Sequence, residues 1–157
     1  MLKTLHEPEE QKKTREREIK DEARGSSQIG PFDYCPRLGF REYWYPGIKA
    51  KKVGRKRPVR LRMLGEEIVL FRGKQGQVVA LTDWCPHRGA RFSNGLCDFQ
   101  GTITCPYHGY VFDETGQCVA GLIEAVDSSL APKMRAKRYP TAESNGIVFI
   151  WMGQTPP

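Results

Sequence analysis

Two short segments of this chain repeat nearly the same motif, CPHRGA at 85–90 and CPYHGY at 105–110. Each contains a cysteine followed by a proline, then a histidine within three residues and a glycine soon after it. The spacing is C-x-H, seventeen residues, then C-x2-H, so each loop supplies one sulfur and one imidazole. Because thiolates and imidazoles are strong metal ligands, the pattern predicts a fold that brings both loops to one metal site.

Three kinds of site are compatible with these four side chains. Zinc accepts two cysteines and two histidines, but zinc fingers usually pair cysteine with cysteine and histidine with histidine in sequence. A catalytic Cys–His pair needs one residue of each type and leaves the second loop unexplained. A 2Fe–2S cluster with two thiolates on one iron and two imidazoles on the other uses all four residues, and it explains the duplication.

The rest of the chain after residue 31 reads as short strands separated by turn residues. The β-like runs are VRLRM (59–63), EEIVLFR (66–72), QVVALTD (77–83), TITC (102–105), YVFD (110–113), QCVA (117–120) and GIVFIWM (146–152). They are rich in β-branched residues and lack the helices that connect parallel strands, so we expect an all-β fold of antiparallel sheets, a small sandwich or barrel. Only the N-terminal tail and residues 127–131 have a helical pattern. Both motif loops follow predicted strands, and we expect each to lie at a hairpin tip.

Length and composition indicate one domain in a reducing compartment. The chain has 157 residues, of which 39% are apolar, enough to bury a core without disulfides. Its longest apolar run, IVFIWM, is too short to cross a bilayer, and the N-terminus lacks the apolar core of a signal peptide. We therefore expect a cytoplasmic protein without membrane association, whose five cysteines favour metal binding over disulfides.

The formal net charge of +7 is distributed unevenly. Residues 1–25 carry seven basic and seven acidic side chains and few apolar ones, so we expect residues 1–30 to be a charged tail, flexible or helical. The segment 48–62 contains eight lysines or arginines and no acid. It is typical of a solvated edge strand or of a docking face for an acidic protein. Without base-stacking aromatics among these charges, no nucleic-acid binding is expected.

The motifs and their surroundings carry a family resemblance. WCPHRGARFSNG and ITCPYHGYVFDETGQC, with REYWYPGI (41–48) before them and ESNGIVFIWMG (143–153) after them, closely resemble the Rieske domain of the Rieske non-haem iron oxygenases. These are aromatic-ring hydroxylases and demethylases. The resemblance implies a Rieske-type sandwich with a cluster-binding subdomain over residues 31–157, in the position of the N-terminal part of an oxygenase alpha subunit. It also implies that Cys85 and Cys105 bind one iron of a 2Fe–2S cluster and that His87 and His108 bind the other.

Departures from a related branch bear on the redox potential. In the Rieske proteins of cytochrome bc complexes, an extra cysteine in each loop forms a disulfide, and the matching positions here resemble Ala90 and Tyr107. A hydroxyl residue that follows the second loop there is replaced by Tyr110. Fewer hydrogen bonds to the sulfurs predict a potential near the lower end of the roughly −150 to +300 mV range of Rieske centres.

Histidine content limits what the chain can catalyse. An oxygenase needs a mononuclear iron held by two histidines and a carboxylate, but the only histidines are His6, His87 and His108. We therefore expect an electron-transfer component that receives electrons from a reductase or ferredoxin. It would pass them to an oxygenase catalytic domain or subunit, and the resemblance allows a homotrimer. A stand-alone Rieske ferredoxin and a zinc-stabilised binding module are the alternatives.

Several residues outside the ligand set have predicted roles. We expect Cys118 and Cys97 to pack as small apolar side chains. Trp84 is predicted to lie in the core and to screen the cluster from water. Arg88 and Arg91 are expected to bond nearby groups or to meet an acidic partner, with a structural role favoured for Arg91.

Overall fold

The computed structural model describes residues 39–123 and 131–157, which form antiparallel β-sheets. The predicted tail and residues 127–130 of the predicted helix lie outside the described residues. The strands are β1 (Trp44–Lys49), β2 (Val59–Met63), β3 (Glu66–Arg72), β4 (Val78–Thr82), β5 (Thr102–Thr104), β6 (Tyr110–Asp113), β7 (Cys118–Gly121), β8 (Arg138–Tyr139), β9 (Thr141–Ser144) and β10 (Ile147–Trp151). Short 3-10 helices cover Ala50–Lys52, Phe92–Asn94 and Ala131–Lys133. Among the described helices, none has the length and apolar character needed to span a membrane.

The strands form three sheets, with the orders β1-β10-β9, β2-β3-β4-β8 and β5-β6-β7. All pairings within them are antiparallel, so the predicted all-β antiparallel class is confirmed. The sheet β5-β6-β7 is built from two consecutive hairpins, and the motif loop 105–110 connects the first two of its strands.

Strands β3 and β4 are buried on both faces, which explains their nearly continuous apolar sequences. Val69, Phe71, Val79 and Leu81 face one core, which also contains Phe92, Ile103 and Phe112 from the motif-bearing half of the chain. The alternate residues Ile68, Leu70, Val78 and Ala80 face a second core with Val148 and Ile150 of β10. The same two strands thus support both the motif loops and the sheet β1-β10-β9.

The seven predicted strands are confirmed, three with the same bounds and four with one or both ends shifted by one residue, but three strands were missed. β1 contains a proline and a glycine, which break the strand pattern in the sequence. β8 has only two residues. β9 has the sequence TAES, which is largely exposed and lacks apolar alternation. Segment 48–62 includes β2, which lies at the edge of its sheet. This position agrees with the interpretation of the segment as an edge strand.

The expectation that both motif loops lie at hairpin tips is wrong for the first loop. The loop 105–110 joins the paired strands β5 and β6. The loop 85–90 follows β4, whose neighbours are β3 and β8, and the chain then enters the 3-10 helix Phe92–Asn94. Because β4 already has a partner on each side, the strand that follows the loop in sequence joins another sheet.

Candidate metal centre

Both motif loops close in the same way through backbone hydrogen bonds. In the first loop, the N–H of Cys85 donates to the carbonyl of Ala90 at 2.8 Å. In the second loop, the N–H of Cys105 donates to the carbonyl of Tyr110, also at 2.8 Å. Each bond joins the first and last residues of its six-residue motif, so the repeat in sequence becomes a repeat in backbone geometry.

A glycine allows the chain to turn back inside each loop. The N–H groups of Gly89 and Gly109 donate to the carbonyls of Cys85 and Cys105, at 2.8 and 3.1 Å. Their φ angles are +68° and +63°, in the left-handed region that residues with a Cβ seldom adopt. The glycine in each motif is therefore required by the backbone.

The two motif thiols meet in the buried floor of the site. Cys85 and Cys105 belong to the same core cluster and are 2% and 1% exposed. The thiol of Cys85 donates a hydrogen bond to Cys105, which raises the pKa of Cys85 together with burial. The same bond lowers the pKa of Cys105 to about 6. Two sulfurs within hydrogen-bonding reach of each other suit a metal that takes two thiolate ligands.

Backbone N–H groups point at both sulfurs. The donors lie two and three residues after each cysteine, and they are His87 and Arg88 toward Cys85, and Tyr107 and His108 toward Cys105. The residue directly after each cysteine is a proline, which has no N–H to offer. Such donors stabilise negative charge on sulfur, so the loops are arranged for thiolates.

The two imidazoles meet edge to face in half-buried positions. The ring centroids of His87 and His108 are 4.7 Å apart. The ring of Tyr107 stacks on His108 at 3.8 Å, and the ring of Tyr110 meets His87 edge-on at 4.8 Å. The Nδ1 atom of His108 is buried and has no hydrogen-bond partner in the described protein. A buried ring nitrogen of this kind normally has a partner, and a metal is one such partner.

The arrangement of these four side chains fits a two-iron cluster. The motif residues form a thiol pair, Cys85 with Cys105, and an imidazole pair, His87 with His108. A 2Fe–2S cluster with different ligands on each iron requires such pairs, together with N–H donors near the sulfurs.

The expected core position of Trp84 is wrong, whereas the structural role of Arg91 is confirmed. Trp84 is 41% exposed, and the guanidinium carbon of Arg91 lies 4.2 Å from the centroid of its ring. Arg91 Nη1 also lies 3.2 Å from Glu67 Oε2 and 3.5 Å from Asp83 Oδ2. The indole therefore packs under a cation at the surface, where tryptophan faces are often used in this way.

The remaining described cysteines have the packing roles that were predicted. Cys118 is buried in the core that contains the motif thiols. Cys97 is partly buried and packs against the same core, and burial raises its pKa to about 11. A raised pKa keeps Cys97 a neutral thiol at physiological pH.

One buried residue near the site was missed by sequence reasoning. Asp83, two residues before Cys85, is completely buried and accepts hydrogen bonds from the N–H and hydroxyl of Ser93. A lone aspartate at the end of a strand is common in turns, so no local pattern indicates that its partner lies ten residues away.

Comparisons with known proteins agree with this geometry. Residues 43–129 match the family model described as the Rieske [2Fe-2S] domain. The chain is 37% identical over 114 residues to the 3-chlorobenzoate-3,4-dioxygenase oxygenase subunit of Comamonas testosteroni, covering 72% of this chain and 26% of that protein. It is 32% identical over 137 residues to the chloroplastic pheophorbide a oxygenase of Oryza sativa subsp. japonica, covering 83% of this chain and 26% of that one.

Solved structures give the same result. The terminal oxygenase of carbazole 1,9a-dioxygenase from Novosphingobium sp. KA1 superposes with a TM-score of 0.71 at 36% identity, over 76% of this chain and 32% of that chain. The reduced complex between oxygenase and ferredoxin in carbazole 1,9a-dioxygenase superposes with a TM-score of 0.69 at 35% identity. This chain spans only about a quarter to a third of the length of these relatives. Its cofactor is accordingly a Rieske-type 2Fe–2S cluster, and the chain belongs to the Rieske [2Fe-2S] domain family.

Proposed function

We propose that this chain transfers single electrons through a Rieske 2Fe–2S centre, as the N-terminal electron-transfer domain of a Rieske non-haem iron oxygenase. Cys85 and Cys105 would hold one iron, and His87 and His108 the other. A bound cluster would supply one-electron redox chemistry at this place. The observation that carries the proposal is the sorting of the four motif side chains into a buried thiol pair and a half-buried imidazole pair.

Each pair has its own part in electron transfer. The thiols of Cys85 and Cys105 lie in the core, where water is excluded and the backbone N–H groups offset negative charge on sulfur. The imidazoles of His87 and His108 are only half-buried, so they would connect the site to the surface. An electron can then leave through the imidazole edge without a large motion of the protein.

The electron donor and acceptor follow from the family and from the histidine content. The donor would be a reductase or ferredoxin, and the carbazole oxygenase that resembles this chain forms a complex with a ferredoxin. The acceptor would be a mononuclear iron on another chain or on a further domain, since these 157 residues contain only three histidines. We further propose a cytoplasmic location, and an assembly of three copies, which is common in the family that the motifs resemble.

A stand-alone ferredoxin and a zinc-stabilised module are not favoured. Several relatives with similar sequences are oxygenases or oxygenase subunits, among them the chlorobenzoate and carbazole dioxygenases. The family model that matches the chain is that of an iron–sulfur domain, for which zinc is not the cofactor.

Iron and sulfide analysis combined with EPR tests the proposal. We expect the full chain, purified without oxygen, to be red-brown and to contain iron and acid-labile sulfide in equal amounts. After dithionite reduction it should give the EPR signal of a mixed N/S-ligated cluster. A colourless protein that contains one divalent ion per chain would contradict the proposal.

The midpoint potential separates the oxygenase type from the high-potential type. We expect a midpoint potential below zero, near the lower end of the roughly −150 to +300 mV range. The reason is that the aromatic residue Tyr110 replaces the hydroxyl residue of the cytochrome bc branch, so fewer hydrogen bonds to the sulfurs are expected. A midpoint well above zero would contradict the assignment to the oxygenase branch while leaving the cluster itself in place.

A further inference from the structure

The first motif loop lacks the support that the second loop has. The loop 105–110 closes a hairpin in which Thr104 pairs with Val111 and Ile103 with Phe112. The loop 85–90 has no such ladder beneath it, because β4 pairs with β3 and β8. Beyond the Cys85–Ala90 hydrogen bond that closes the loop, its base must therefore be supported by something other than strand pairing.

Asp83 lies where that support is needed. Its carboxylate is completely buried, and it stands two residues before Cys85, at the start of the loop. Oδ1 accepts the backbone N–H of Ser93 at 2.7 Å, and Oδ2 accepts the Ser93 hydroxyl at 2.6 Å. Ser93 follows the last loop residue, Ala90, by three positions. The carboxylate thus joins the chain before the loop to the chain after it.

Further contacts fix this junction to the sheet. Arg91 Nη1 lies 3.5 Å from Asp83 Oδ2 and 3.2 Å from Glu67 Oε2. The N–H of Asp83 donates to the carbonyl of Glu67 on β3 at 2.9 Å. Arg60 of β2 in turn bonds both carboxylate oxygens of Glu67, at 2.8 and 2.9 Å. A buried charge that is bonded on both oxygens is costly to displace, so this network makes the base of the loop rigid.

We infer that Asp83 is a positioning residue for the metal centre. Its hydrogen bonds support the first loop as strand pairing supports the second, and they hold Cys85 and His87 opposite Cys105 and His108. This inference rests on the function proposed above. Asp83 does not act as a ligand. It acts through the loop, as groups behind metal ligands commonly do.

Asp83→Asn provides the main test, with Asp113→Asn as the matched control. Asp113 also caps a turn, between β6 and β7, but its Oδ1 alone accepts all three bonds, from Thr115 N, Thr115 Oγ1 and Gln117 N. An asparagine oxygen can retain those bonds. At Asp83 both oxygens accept, so an asparagine there must place its NH2 either against the backbone N–H of Ser93 or against Arg91 and the Ser93 hydroxyl, and in each case it faces at least one group that can only donate.

The first measurement is amide hydrogen exchange in the full chain without the cluster. Asp83→Asn should accelerate exchange in residues 85–90 by roughly tenfold or more and leave residues 105–110 unchanged. Ser93→Ala, which keeps the carboxylate and its backbone donor, should accelerate exchange less, and Ser93→Thr should restore the slow rate. Ser93→Ala also carries the test if Asp83→Asn does not fold.

The second measurement is the EPR spectrum and midpoint potential of the cluster-loaded chain. Both should shift in Asp83→Asn and Ser93→Ala and remain unchanged in Asp113→Asn and Ser93→Thr. Exchange and spectra of Asp83→Asn and Ser93→Ala that match those of Asp113→Asn would overturn the inference. A native chain that never acquires a cluster would overturn the proposed function instead, while the exchange measurement would still decide whether Asp83 braces the loop.

Discussion

The two motif loops have the same backbone but different foundations. Both close with a Cys N–H bond of 2.8 Å, and both turn back at a glycine with positive φ. The second loop stands on the ladder between β5 and β6, whereas the first depends on the side chains around Asp83. The shared backbone of the two loops thus sets which atoms face the metal. Two different supports, a strand ladder and a side-chain network, hold that backbone in place. The following changes test where the two loops are equivalent and where they are not.

The largest expected effect is loss of the whole cluster when the cysteine of either loop is replaced. Cys85→Ser and Cys105→Ser should each abolish visible absorbance and bound iron and sulfide, because either change leaves one iron with a single thiolate. Cys97→Ser is the control, since Cys97 packs against the core from outside the two motif loops, and it should retain the cluster. Full loading of one of the two motif variants would show that the loops are not equivalent as ligand sources.

Replacing either histidine by cysteine should lower the midpoint potential. His87→Cys and His108→Cys should each retain a cluster whose potential falls by on the order of 200 mV, toward the roughly −400 mV of centres with four cysteines. Equal falls are expected if the loops supply equivalent ligands, and redox titration followed by EPR measures them. An unchanged potential in either variant would contradict that histidine's assignment.

The loop glycines should differ in their tolerance of alanine. Gly89→Ala should cost about 1 kcal/mol, the usual penalty for a left-handed residue with a Cβ. Gly109→Ala should cost about 2 kcal/mol, since its Cβ would also lie 3.1 Å from that of Leu122, whereas nothing lies within 4 Å at Gly89. Thermal midpoints measure the difference, with Gly54→Ala as the open-space control. Equal losses for the two loop glycines would mean that the contact with Leu122 is easily relieved.

Acid should loosen the first loop before the second. Hydrogen bonds from Arg60 and then Arg91 lower the pKa of Glu67 to about 2, from a usual value of 4.5. A lowered carboxyl pKa stabilises the fold above pH 4.5, and this stabilisation is lost as the pH falls toward 2. Amide exchange in residues 85–90 should therefore rise by a few fold as the pH falls through this range. The effect is small because the Arg60–Glu67 ion pair lies near the surface, where water screens it.

Glu67→Gln separates this carboxyl from the others. The variant should remove most of the acid dependence in residues 85–90 and leave residues 105–110 as they were. Glu66, whose burial is outweighed by hydrogen bonds from Tyr139, Lys137 and Arg41, also has a pKa lowered to about 2 and contributes over the same range. Parallel acid responses of the two loops in the native chain would indicate global loosening of the domain.

Much of the fold and the pairing of the motif residues could be predicted from local sequence. The run EEIVLFR predicts a buried strand, and β3 covers the same seven residues. The spacing of cysteines and histidines predicted two matched loops, and the structure brings them together. β9 was missed because its exposed residues leave no periodic signal, and Trp84 was placed in the core although its ring lies at the surface under Arg91.

The chemistry and the fold class could be predicted from local sequence. The two thiols, the two imidazoles and the loop glycines lie within 25 residues, and the apolar pattern of each strand depends only on its own neighbours. Which sheet each strand joins, why one loop closes a hairpin and the other does not, and why Asp83 meets Ser93 became visible only in the folded chain. Those outcomes depend on contacts between segments that are distant in sequence, and a buried carboxylate acquires its partner only when the chain path around it is complete.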